Sequence, residues 1–475
     1  MDDAMIRHKM IPVNGIANQG GDMKITHENP AMLTDQYEFT MAAAYHKNKM
    51  FEPATFSLFI REYPPNRGYF VSAGLETVLS FLESWELTRE DLDYLASEGK
   101  FADDFLHHLS GLKFEGEVFA IPEGRLFFRD EPILEVTAPI IQGQLVETFI
   151  INAINLQVSI ATKASRCAYA AEGRGLVDFS LRRTQGMDAG LKVARSSYLA
   201  GFDGTSNVLA GKAYDIPISG TMAHSFVTSF PDEQEAFSAF AETFPENTVL
   251  LIDTYDTVTG AEKAVAVARE MQQRGHDLRG VRLDSGDMAQ LSKEVRKILD
   301  SEGFKDVKIF ASGGFDEFKI ADVVARNCEI DAFGVGTKMG VSADGPYTDI
   351  AYKLVQYGDR PVMKLSSGKK TLVGRKQVFR HRDGDRFAGD TIGLRREEID
   401  GDALLVPVMK AGERQGPPES LKTIQDRFGA EFASLDKAYK RLENPVEYAV
   451  ELGPELQALQ EEVVHEIREK ELGES

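Results

Sequence analysis

Four apolar runs set the frame: Val249-Leu250-Leu251-Ile252, Gly280-Val281-Arg282-Leu283, Val307-Lys308-Ile309-Phe310 and Ala332-Phe333-Gly334-Val335. They end in Asp253-Thr254-Tyr255-Asp256, Asp284-Ser285-Gly286-Asp287, Ala311-Ser312-Gly313-Gly314 and Gly336-Thr337. Helical patterns lie between them. Short β-rich runs alternating with helices predict right-handed crossovers and a parallel sheet. Ligands of such sheets gather at the carboxyl ends of the strands. Here those ends carry acids and glycines beside Arg282, so one stretch predicts both a fold and a site.

Working upstream, Leu176–Leu181, a short segment from Thr205 to Ala210, and Ile216-Pro217-Ile218-Ser219-Gly220 extend the series to about seven strand-like units, close to the eight of a TIM-type barrel. Before them, Gln144–Ala171 reads as one long helix. Asn152, Asn155, Ser159, Thr162, Lys163 and Arg166 form a polar stripe on it, with Ile150, Ile154 and Val158 elsewhere. The stripe faces either a phosphate-bearing ligand or solvent. Residues 112–141 hold short β-type runs and tight turns, as in a small antiparallel β module. Further upstream, Thr55–Ile60 alternates like a strand, Gly74–Trp85 is a helix, and one charged helix spans Arg89–His108. Asp35 and Glu38 have the spacing of a capping pair at a helix start. Downstream, Tyr352–Val355, Pro361–Leu365 and Gln377–Arg380 read as strands, and two charged helices close the chain. The expected divisions are an arm over 1–28, an α/β part over 29–145, the strand-helix series over 146–345 and a β/helical region over 346–475.

Among 475 residues, 43% are hydrophobic and 27% charged, ordinary for a soluble enzyme. A net charge of −21 argues against wrapping a nucleic-acid backbone. It leaves room for a locally basic pocket holding a small anion. Cys167 and Cys328 lack metal spacing, so a reducing, cytoplasmic setting is expected. No apolar run reaches membrane-spanning length.

Ser312-Gly313-Gly314 and Gly334-Val335-Gly336-Thr337 suit a phosphate, because backbone N–H groups at glycines can cradle its oxygens. Arg282 and Asp284 share a side of their strand by alternation. They suit a phosphorylated, hydroxylated ligand or a magnesium ion, or else form a structural ion pair. His224, after Gly220-Thr221, can serve as an acid/base, a ligand donor or a nucleophile that takes a phosphoryl group. Arg182 and Arg183 bind an anion or pair with the acidic surface.

Taken in order, several stretches together resemble the nicotinate phosphoribosyltransferase family. They are Leu33-Thr34-Asp35-Gln36-Tyr37, Arg61-Glu62-Tyr63-Pro64, Glu147 to Arg166, Phe179-Ser180-Leu181-Arg182-Arg183, Gly220-Thr221-Met222-Ala223-His224-Ser225, Arg282-Leu283-Asp284-Ser285-Gly286-Asp287 and Gly334-Val335-Gly336-Thr337. The resemblance implies an irregular TIM-like α/β barrel, an N-terminal α/β domain with a small hammerhead-like β module, and a C-terminal β-hairpin and helical extension. It implies the joining of nicotinate to phosphoribosyl pyrophosphate, with magnesium as cofactor and ATP as co-substrate, in a cytoplasmic homodimer with shared active sites. His224 then matches a phosphohistidine, with Arg282 and Asp284 as catalytic partners and Asp284 as a magnesium ligand. Tyr37, stacking across the dimer, and Thr221, Arg282 and Arg182 match nicotinate contacts. Lys163, Arg166, Gly313, Gly314, Gly336 and Thr337 match the phosphoribosyl pyrophosphate side. Val373-Gly374-Arg375 departs from the family's usual Pro-Gly-Lys. The competing readings are a nicotinamide phosphoribosyltransferase and a non-catalytic barrel that binds a phosphorylated metabolite.

Overall fold

The computed structural model describes residues 30–366 and 371–473. The arm expected over 1–28 lies outside the described residues. A parallel sheet runs in the order Gly204–Thr205, Gly175–Asp178, Ala332–Val335, Lys308–Ala311, Gly280–Leu283, Val249–Leu251. Each crossover carries a helix, as the alternation of β-rich and helical runs requires. The earliest strand, Gly175–Asp178, pairs with the last, Ala332–Val335. Strand order therefore circles back on itself, and the carboxyl ends of all six strands face one mouth.

The circle has one seam. Ile218 makes only a parallel bridge to Thr205. Among the described residues no backbone hydrogen bond joins its segment to Val249–Leu251. The seventh strand-like unit expected from the sequence is this single bridge. Pro217 accounts for part of that, since it has no N–H to offer a ladder.

An antiparallel seven-stranded sheet forms the other body, ordered Arg360–Pro361, Ile350–Tyr357, Pro53–Ile60, Leu134–Pro139, Glu117–Ala120, Val406–Lys410, Glu413–Arg414. This corrects the expectation of a small module over 112–141. Glu117–Ala120 and Leu134–Pro139 are inner strands of the large sheet, while Leu126–Phe127 pairs with Phe70–Val71. The regions 29–145 and 346–475 thus share a sheet. Pro53–Ile60 is buried along nearly its whole length because it lies between two other strands, so its simple alternation does not mark an exposed face.

Other boundaries also move. The helix expected over Arg89–His108 is two, Arg89–Ser97 and Asp103–Leu109, separated where Gly99 takes a φ of 65°. The Asp35/Glu38 capping pair does not form. Glu38 is buried and accepts from the Thr34 and Thr148 hydroxyls.

The long helix, Glu147–Ala171, ties the two bodies together. Ile150, Ile154 and Val158 pack in the core of the antiparallel sheet. Ile160, Ala164 and Cys167 pack in the core of the parallel one. A helix apolar nearly all round is what such double burial demands.

Candidate functional site

At the mouth of the parallel sheet, His224 opens the short His224–Thr228 helix. Its Nδ1 lies 3.1 Å from the Thr254 hydroxyl. Its Nε2 lies 4.0 Å from Asp253 Oδ1 and 3.9 Å from Asp284 Oδ2. The two acids terminate neighbouring strands. Asp253 Oδ2 accepts from the Asp284 N–H at 3.0 Å and from the Ser285 hydroxyl at 2.6 Å. Asp284 Oδ1 accepts from the Ser312 hydroxyl at 2.5 Å. Three consecutive strand ends are thereby wired, with His224, into one polar cluster.

Arg282 stands below it. One terminal nitrogen donates to Thr221 Oγ1 at 2.6 Å and the other to the Met222 carbonyl at 2.8 Å. No Arg282–Asp284 ion pair forms, so the structural-pair reading of these two residues fails. Burial presses the guanidinium below the usual arginine value, opposed by Asp284 and Asp253 and reinforced by Arg182. Arg182 lies on the exposed turn Leu181–Arg183 nearby. Two buried polar atoms here, Arg282 Nε and Asp253 Oδ1, have no hydrogen-bond partner within the protein. Each costs about 1–3 kcal/mol when left so, and both suit a polar ligand.

Arg282 and Thr221 also line a cavity of about 390 Å³ whose walls include Phe179, Ile218, Phe310 and Phe333. Aromatic walls with one arginine at the rim fit a flat ring bearing a carboxylate. Gly334 is required there, because a Cβ would lie 2.5 Å from the Phe179 ring. Gly313 takes a φ of 98°, and a Cβ there would lie 2.0 Å from the Asp284 carbonyl oxygen. Gly314, Gly336 and Thr337 complete the adjacent strand ends.

Two groups of expected site residues are engaged with protein partners. Lys163 and Arg166 are almost wholly buried. Lys163 pairs with Glu317 at 2.5 Å and Asp344 at 2.6 Å. Arg166 Nε pairs with Glu317 at 2.9 Å, and its other nitrogens donate to the carbonyls of Asn66 and Leu442. Much of the polar stripe of the long helix faces protein, while Asn152 faces solvent: Thr162 accepts from the Val71 N–H and Asn155 from Thr348. Tyr37 sits at the other end of that helix, facing Glu147. Burial, then Glu147, pushes its hydroxyl far up. Within one chain the charges that act on Tyr37 are Glu147, Glu38 and Asp35, none of them in the cluster.

Asp253 is the acid that the sequence reading passed over as a site residue. Its signal was available: it ends a strand next to the one that Asp284 ends.

Three family descriptions cover most of the chain: the nicotinate phosphoribosyltransferase (NAPRTase) N-terminal domain over residues 32–155, the nicotinate phosphoribosyltransferase (NAPRTase) family over 175–383, and the nicotinate phosphoribosyltransferase C-terminal domain over 398–460. A nicotinate phosphoribosyltransferase of Mycobacterium tuberculosis is 50% identical over 392 residues, 82% of this chain and 84% of that protein. The chain belongs to the nicotinate phosphoribosyltransferase family. A Bacillus subtilis member of that family is 37% identical over 473 residues, 93% of this chain and 96% of its own. The crystal structure of human nicotinic acid phosphoribosyltransferase superposes with a TM-score of 0.82 at 30% identity, covering 90% of this chain and 99% of that one. The mixed α/β fold is thus a family property. Among the described residues no helix is long and apolar enough to cross a membrane, and no three His, Cys, Asp or Glu side chains gather as a metal cage.

Proposed function

We propose that the chain joins nicotinate to phosphoribosyl pyrophosphate, releasing pyrophosphate and leaving nicotinate mononucleotide, as a step of NAD salvage. The observation that carries this reading is Arg282, placed where an aromatic cavity meets the carboxylate cluster. With Thr221, and with Arg182 beside it, Arg282 holds the ring's carboxylate in the cavity. The Gly313-Gly314 turn with Gly336 and Thr337 takes phosphate. The pyridine nitrogen then attacks C1′ of the ribose as the bond to pyrophosphate breaks, and the leaving oxygen keeps the electron pair. The ribose gains positive charge in between, so the work of the protein is positioning and charge stabilisation. Asp284 and the unpartnered oxygen of Asp253 suit ribose hydroxyls or a magnesium ion that draws further ligands from substrate phosphates. Magnesium would neutralise the departing pyrophosphate.

ATP coupling runs through His224 in this proposal. Its Nε2 faces both carboxylates, which can take the ring proton as the nitrogen–phosphorus bond forms and ADP leaves. The circular strand order supports reading the parallel sheet as an irregular TIM-like barrel, with the hammerhead-like module merged into the antiparallel sheet. A homodimer completes the site: Tyr37 is half-exposed and faces Glu147 instead of its own cluster, while Met187, Val208, Leu209 and Ile218 expose apolar surface. In the reducing cytoplasm, buried Cys167 and Cys328 stay thiols.

The test is pyrophosphate release from phosphoribosyl pyrophosphate and magnesium, with nicotinate or nicotinamide, each with and without ATP. Release with nicotinate, raised by ATP, is expected. His224→Ala should retain transfer and lose the ATP stimulation. Release with nicotinamide alone overturns the ring assignment, and none in any mixture favours a non-catalytic binder.

A further inference from the structure

A phosphorylated, pyrophosphorylated sugar entering a chain of net charge −21 needs local cations. Lys163 and Arg166 are almost wholly buried and held by Glu317 and Asp344 at 2.5–2.9 Å, whereas the Lys338 side chain is half-exposed. Two other lysines converge on the glycine turn. Lys319 Nζ donates to the Gly313 carbonyl at 2.6 Å and rests 4.5 Å from the centre of the Phe315 ring. Lys338, directly after Thr337, donates to Asp316 Oδ2 at 2.7 Å. The other Asp316 oxygen accepts from the Lys319 N–H at 2.9 Å. One ammonium therefore comes from each glycine-bearing strand end. Burial, then the charge of Lys338, holds Lys319 below the usual lysine value, against the pull of Asp316 and Asp284. Like charges brought together beside Gly313 and Gly314 repel, and an anion between them turns that repulsion into two attractions.

Resting on the phosphoribosyltransferase reading above, we propose that Lys319 and Lys338 are the cationic side of the phosphate seat. On binding, each ammonium transfers its hydrogen bond, from the Gly313 carbonyl or Asp316, to phosphate oxygens of the substrate. The shared chemistry is a phosphate ester or a diphosphate, and the probes separate the two.

The experiment is calorimetric titration of the full chain with ribose 5-phosphate and, separately, with inorganic pyrophosphate and magnesium. Lys319→Met and Lys338→Met should each weaken one probe about 10- to 100-fold, the loss of a hydrogen bond to a charged group. Weakening of ribose 5-phosphate places the 5′-phosphate between the lysines; weakening of pyrophosphate places the leaving group there. Lys319→Arg and Lys338→Arg should recover most of the affinity, and the KM for nicotinate should stay unchanged throughout. Variants that bind both probes as the wild type does overturn the assignment and leave the reaction standing. A wild type that binds neither probe and releases no pyrophosphate overturns the reaction and the assignment together.

Discussion

In the cluster of Lys163, Arg166, Glu317 and Asp344, each cation has a carboxylate within 2.9 Å, and hardly any water reaches Lys163, Arg166 or Glu317. At the mouth of the parallel sheet, His224 stands 3.9–4.0 Å from two acids, and Arg282 Nε and Asp253 Oδ1 face no partner. The residue types are similar, and the Glu317–Ala325 helix starts just after the glycine turn that borders the mouth. What separates the two regions is how closely their charges are paired and how deeply they are buried. A closely paired, buried ionic cluster holds elements in place, whereas an unsaturated one has bonds left for a ligand.

The strongest way to break this contrast is Glu317→Ala. It leaves Arg166 buried without its carboxylate and should cost about 3–5 kcal/mol in urea unfolding. A loss under about 1 kcal/mol would mean the cluster is not structural. On the unsaturated side, Arg282→Gln should lower kcat/KM by about 10²–10³-fold, comparable to losing one stabilising donor, while the unfolding midpoint holds. A fallen midpoint would make Arg282 a structural residue after all. Gly313→Ala sits between the regions. Its left-handed backbone and the clash with Asp284 should cost about 1–3 kcal/mol and reduce activity; an unaltered variant would show that the turn relaxes freely.

Acid titration sharpens the contrast further. Burial raises the Asp344 carboxyl, but Arg67 and Lys163 outweigh it and hold the group well below the usual range. Such a group contributes stability that is complete above its unfolded value of about 3.9 and disappears as pH falls through the folded one. Melting curves should therefore lose stability below about pH 4, and Asp344→Asn should flatten that loss. Glu131 has the opposite sign. Burial, then Asp390, raises its carboxyl well above the usual value, so its contribution is complete at low pH and fades as pH climbs through the raised value. Glu131→Gln imitates the protonated acid. It should change stability by less than about 1 kcal/mol and remove the fading, and a larger loss would show that Glu131 is ionised.

The four strands from Val249 to Val335 were legible because each is a short apolar run closed by glycine or acid, and the parallel fold follows from their spacing. The convergence of Arg282 on Thr221 was legible only through resemblance, since sixty-one positions separate them. The protein partners of Lys163 and Arg166 were hidden for a physical reason. Periodicity says that Lys163 and Arg166 share a face, and nothing local says that Glu317 and Asp344 cover it. The antiparallel sheet escaped for the same reason, as Ile350–Tyr357 pairs with Pro53–Ile60 across nearly three hundred residues.

The seam beside Ile218 has a consequence for how this pocket can change. Thr221 and Met222 meet the rest of the cavity wall through Arg282's side-chain bonds and no ladder. A substitution there can shift that wall by a fraction of an ångström without unzipping a strand pair. The same change at Phe310 or Gly334 would strain a paired strand. The ring pocket is therefore most evolvable on its seam side, and descendants with altered taste in pyridines should differ first around Ile218 to Met222.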